Sequence, residues 1–172
     1  MLRATAIPLR ALQRVRILEG MGRANTPPLS PSPRCSVLVA HGSGPYANTR
    51  RALESFGLLP LHGRRVLLKP NVGRVAPPGS GIVTHPEVVA AAIDVFREAG
   101  ADVAVGESPI VGVDVQEAFA VAGVAAVAGS RGCALVDMDQ RPAIEVPVPE
   151  GRVLHSLKVC PEALEFDIVV SI

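Results

Sequence analysis

Two rhythms of apolar and polar positions alternate along residues 36–172. Short apolar runs at 36–40, 65–68, 102–105, 134–137 and 167–172 read as strands. Strands covered on both faces of a parallel sheet carry little polar alternation, which is the pattern here. Between the runs the spacing lengthens to that of helices. The sharpest case is 86–99, where Val89, Ala92, Ile93, Phe96 and Ala99 fall on one face and Glu87, Asp94, Arg97 and Glu98 lie off it. Thr84 with Glu87 reads as a capping box, Pro86 suits the first turn, and Gly100 suits a left-handed C-terminal position. A helix over 48–56 precedes this unit and ends at Gly57. Asp114 and Glu117 open another helix over 115–122, followed by a helical piece at 124–130. Residues 143–148 and 152–159 alternate about Gly151 and read as an antiparallel edge hairpin, and 160–164 as a helical turn.

The fold expected is α/β: a mainly parallel sheet with helices on both faces, a Rossmann-like three-layer arrangement with an antiparallel edge hairpin. The pattern closes on an apolar strand with no helix to cover it, which reads as a domain truncated at its C-terminus. Residues 1–34 have a different character. They carry six Arg and one Glu, against a net charge of −4 for 35–172. A basic amphipathic stretch at 9–18 and a Pro/Ser-rich run at 25–33 read as a disordered extension ahead of an α/β domain over 35–172. It reads either as an Arg-rich transit segment or as an upstream extension from an alternative start at Met21, and we prefer the extension.

Composition narrows the function. Aromatic residues make up 3% of the chain, with no Trp, which argues against a base-stacking nucleic-acid platform. The mildly acidic body argues against phosphate-backbone tracking. No apolar stretch reaches the ~18 residues of a membrane span, so no membrane partner is expected. Cys35, Cys133 and Cys160 lack metal-ligand spacing, no metal site is expected, and a reducing, cytoplasmic location fits them.

Candidate chemistry collects at two strand ends, where open α/β sheets bind ligands. Lys69 and Asn71 follow the strand at 65–68, His85 starts the next helix, and Glu107 and Ser108 close the strand that follows. Lys69 is an anion clamp or a lysine reaching to water; Asn71 is a donor or a turn former. His85, beside a helix N-terminus, and Glu107 are the candidates for acid–base work, and Ser108 for a phosphate contact. Asp137 and Asp139 are read as loop aspartates rather than cation ligands. The glycine-rich turn at 41–45 lacks the third glycine of a dinucleotide fingerprint and is read as a plain turn. His41, His62 and His155 receive no role.

The ordered set Val66-Leu67-Leu68-Lys69-Pro70-Asn71, Thr84-His85-Pro86-Glu87, Gly100-Ala101-Asp102-Val103 and Gly106-Glu107-Ser108-Pro109 resembles the "domain of unknown function 362" family. So do Leu135-Val136-Asp137 and the closing Asp167 to Ile172, and the resemblance covers about residues 36–172. Part of that family is iron–sulphur-associated. The resemblance implies an N-terminal part only. Further strand-end motifs and a ferredoxin-like module with clustered cysteines belong to longer relatives. A [4Fe-4S] cluster is therefore plausible for the full-length family but has no ligands in this chain. Three readings follow. One is a redox-linked protein or enzyme binding a small anionic ligand or cofactor at the strand ends. Another is a non-catalytic scaffold for a cluster-bearing module, and the last is an inactive fragment.

Overall fold

The computed structural model describes residues 37–58 and 60–172, so the basic extension expected over 1–34 lies outside the described residues. All regular elements among them fall within Val39–Ile172. Helix α1 (Pro45–Ser55) leads into strand β1 (Arg65–Lys69), helix α2 (Pro86–Glu98) and strand β2 (Asp102–Glu107). Helices α3 (Val115–Val121) and α4 (Val124–Ser130) precede strand β3 (Ala134–Asp137). Strands β4 (Ile144–Pro147) and β5 (Ser156–Val159), a 3₁₀ helix (Pro161–Glu165) and strand β6 (Ile168–Ser171) complete the order.

Four strands form a parallel sheet in the order β3-β2-β1-β6. The expected α/β class is what the chain adopts. Successive side chains of a strand point to opposite faces, and the two faces of β1 show it. Val66 and Leu68 join Val103 and Val105 in a core closed by Val89, Ile93 and Phe96 of α2 and by Ala118, Phe119, Val124 and Ala128 of α3 and α4. Leu67 and Ala104 face the other way, onto Met138, Cys160, Ala163 and Phe166, so the 3₁₀ segment covers the second face. Gly106 keeps that face close: a Cβ there would lie 2.9 Å from Leu67 Cδ1. The hairpin β4–β5 forms a two-stranded sheet of its own. It is shorter than the sequence pattern, because residues 152–155 form a bend and only the Val148 amide bonds across it, to His155 O at 2.8 Å.

Helix α2 buries more than the one face expected. Ala90, Ala91 and Val95 are buried beside Val89, Ala92, Ile93 and Phe96, because α1 packs on its outer side. Tyr46 donates to Asp94 Oδ2 at 2.9 Å, and Arg50 reaches Glu98 Oε2 at 2.7 Å. Helix α1 itself begins at Pro45, three residues earlier than the pattern placed it.

Two expectations are corrected. Residues 37–40 form no strand, and Val37 and Val39 are 89% and 82% exposed. An apolar run becomes a strand only where a neighbouring strand takes its hydrogen bonds, and no strand of the sheet pairs with these residues. The N-cap of α2 is His85, not Thr84: His85 Nδ1 accepts from the Glu87 amide at 3.2 Å. Thr84 is drawn instead into the strand-end network.

Candidate functional site

The carboxyl ends of β1 and β2 lie side by side, since Leu68 pairs with Val105 in the parallel register. This brings Lys69 beside Glu107, and the two form an ion pair, Lys69 Nζ to Glu107 Oε1. Glu107 is 1% exposed. A buried carboxylate needs its lone pairs satisfied, and here both oxygens are used. Oε1 also accepts from the Ser108 amide at 2.8 Å, and Oε2 accepts from the Val72 amide at 3.0 Å. The carboxylate thus bolts the loop after β1 to the end of β2. Pro70, fully buried, fixes the turn between Lys69 and that loop.

Asn71 belongs to a second network. Its amide donates to Thr84 Oγ1 at 2.9 Å and to Ile172 O at 3.2 Å, and Thr84 Oγ1 donates to Ile172 O at 3.0 Å. Residues 71, 84 and 172, from the ends of β1, α2 and β6, are tied at one point. The side-chain Nδ2 of Asn71 donates to Ile82 O at 3.1 Å, which turns Oδ1 away from that carbonyl. Ser108 Oγ donates to Asp139 Oδ1 at 2.7 Å, and Asp137 Oδ1 accepts the Asp139 amide at 3.0 Å, so the two aspartates shape the turn after β3.

The sequence candidates therefore separate by role. Lys69, Glu107 and Ser108 meet in one network, and Asn71 stands next to it through Val72. His85 has its Nδ1 committed to capping α2 and hydrogen-bonds to none of the other four. Sequence reasoning missed Arg74. Its guanidinium has no hydrogen-bond or ion-pair partner among the described residues. It lines a depression of about 150 Å³ together with Asn71, Gly73, Ile82 and Ile110. In a chain with fifteen Arg, nothing in the sequence distinguishes this one; its position in the Gly/Pro loop was the available signal.

No group of three or more His, Cys, Asp or Glu among the described residues is placed to hold a metal ion. The two described cysteines, Cys133 and Cys160, do not fit an iron–sulphur cluster. Cys133 is buried with its thiol on Val103 O at 3.1 Å, and burial pushes that thiol up, opposite to what thiolate ligation requires. Cys160 approaches Asp139 Oδ1 at 4.0 Å with no second thiol beside it among the described residues.

The fold is an open parallel α/β domain whose polar side chains gather at the carboxyl ends of its central strands. The chain belongs to the family described as Domain of unknown function (DUF362), which residues 66–172 match. It is also similar to the thylakoid-associated protein sll1697 of Synechocystis sp., at 31% identity over 119 residues. That match takes in 64% of this chain and 33% of the relative, so the chain matches about a third of that protein's length. No solved structure matches. No helix among the described residues is long and apolar enough to cross a membrane.

Proposed function

We propose that this domain binds a small anionic ligand at the carboxyl ends of β1 and β2, with Arg74 and Asn71 as its contacts. Lys69, Glu107 and Ser108 hold the frame, and His85 fixes the start of α2. The observation that carries this reading is the charge left over at the site. The Lys69 ammonium is neutralised by a buried carboxylate, whereas the Arg74 guanidinium stands on the wall of a depression without a partner among the described residues. An unpaired guanidinium attracts carboxylate or phosphate through charge-assisted, bidentate hydrogen bonds. The redox association implied by the family resemblance belongs, in this reading, to a partner module and not to residues of this domain. A cytoplasmic location is part of the reading, and cell fractionation tests it.

Titration of the ¹⁵N-labelled chain with small carboxylates and with their neutral amides tests the binding. Carboxylates are expected to move the amide resonances of Asn71, Gly73, Arg74 and Ile110, and Arg74→Ala is expected to abolish the shifts. Shifts of equal size with the neutral amides, or undiminished in Arg74→Ala, would overturn the reading. A pure scaffold would give no shifts with either set.

A further inference from the structure

We infer that the ligand is a monoanion built on a single ring and carrying a hydrogen-bond donor, of the hydroxybenzoate type. The inference rests on the anion-binding reading above and adds the ligand's size and shape to it. Size comes first. The depression measures about 150 Å³. Drug-sized ligands fill roughly 300–1,000 Å³, while an apolar cavity of about 150 Å³ holds one benzene ring, so a single ring matches the depression.

The lining supplies the chemistry. Ile82 and Ile110 are both half-exposed, at 50% and 46%, and both face the depression. Free phosphate gains nothing from them, whereas a ring placed between them removes apolar surface from water. Gly73 forms part of the same wall. A Cβ on it would stand 3.8 Å from Asn71 Oδ1 and 4.0 Å from Ile110 Cγ2, which is ordinary contact. The missing side chain is therefore space between those two groups, not a backbone requirement. Asn71 Oδ1 accepts no hydrogen bond among the described residues, and its amide nitrogen is held on Ile82 O. It is an acceptor waiting for a donor. Arg74 takes the anion, the isoleucines take the ring, and Asn71 Oδ1 takes the hydroxyl.

Isothermal titration of the full chain with 3- and 4-hydroxybenzoate, benzoate, benzamide and inorganic phosphate tests this. At least one hydroxybenzoate is expected to bind about tenfold or more tightly than phosphate and than benzamide, and more tightly than benzoate. Gly73→Ala, which fills the space without touching any charge, is expected to weaken hydroxybenzoate binding several-fold and leave phosphate binding unchanged. Circular dichroism confirms that the variant is folded, and Ile110→Ser serves as a second probe of the ring contact. Phosphate binding as tight as that of every hydroxybenzoate, or Gly73→Ala and Ile110→Ser both without effect, would overturn the inference and leave the anion site standing. Absence of binding by every anion would remove both.

Discussion

Removing the Glu107 carboxylate is the most informative perturbation of the frame. In Glu107→Ala three donors lose an acceptor at once: Lys69 Nζ, the Ser108 amide and the Val72 amide. They do not lose equally. The Lys69 side chain is 36% exposed and turns to water, so no charge is stranded. Val72 is fully buried, so its amide is shielded from solvent by the surrounding chain. An orphaned buried donor costs about 1–3 kcal/mol, and the void left by the side chain adds to it. Part of this is offset because a buried carboxylate no longer has to be desolvated. The expected loss is about 3 kcal/mol. Glu107→Gln keeps the shape but turns one acceptor into a donor facing donors, at about 2 kcal/mol. Urea unfolding reads these as lower midpoints at constant slope, and thermal unfolding as a drop of roughly 6–12 °C for Glu107→Ala. A cost below about 1 kcal/mol for Glu107→Ala would refute the reasoning, because the carboxylate would then not be what joins the two strand ends. A Lys69→Met, Glu107→Gln cycle adds a second check: an interaction energy of zero would mean the ion pair is incidental.

Other expectations follow from groups away from the crevice. The Arg131 hydrogen bond, against the opposing effect of burial and with help from Tyr46, holds the Asp94 carboxyl below the ordinary aspartate value. A depressed folded-state value means stability present above the unfolded-state value and lost as pH falls through the folded one. Asp94→Asn should therefore flatten the decline in stability below about pH 4, seen by urea midpoints across pH, and an unchanged acid limb would refute this. Burial pushes the Cys133 thiol up, while Cys160 is half-buried at the rim of the second core. Iodoacetamide at neutral pH should label Cys160 in the native chain and Cys133 only in denaturant, as read by peptide mass; equal native labelling would contradict the placement of Cys133.

The parts of this fold that were legible in the sequence are those fixed by local chemistry. The 86–98 helix announced itself through Pro86, the apolar spacing from Val89 to Phe96, and Gly100, whose φ of +91° is the left-handed conformation expected. Its flanking strands followed from that, since a helix between two short apolar runs implies a parallel crossover. What failed was decided at a distance. Val37 to Ala40 has the composition of a strand, but strand formation depends on a pairing partner elsewhere in the chain, which the local pattern does not display. Thr84 has the chemistry of an N-cap, yet Asn71 and Ile172 arrive from elsewhere and claim its hydroxyl. In the candidate site the pairing of Lys69 with Glu107 is implicit in two adjacent parallel strand ends. The relevance of Arg74 is not, because it depends on which guanidinium is left unpaired once every other contact has formed.

The bond point at Ile172 O has a consequence for the order of assembly. Strand β6 pairs with β1 across a separation of about a hundred residues, as the contact between the Arg65 amide and Asp167 Oδ2 shows, with 102 positions between them in number. Closing so long a loop is entropically late, after local units such as β1–α2–β2 have formed. The loop carrying Asn71 takes two of its hydrogen bonds from residues 84 and 172, so the crevice acquires its final shape only when that last pairing closes. Pulse-labelled hydrogen exchange during refolding should protect the Val105 amide before that of Asn71, and the reverse order would show that the crevice forms with the first strands rather than with the last.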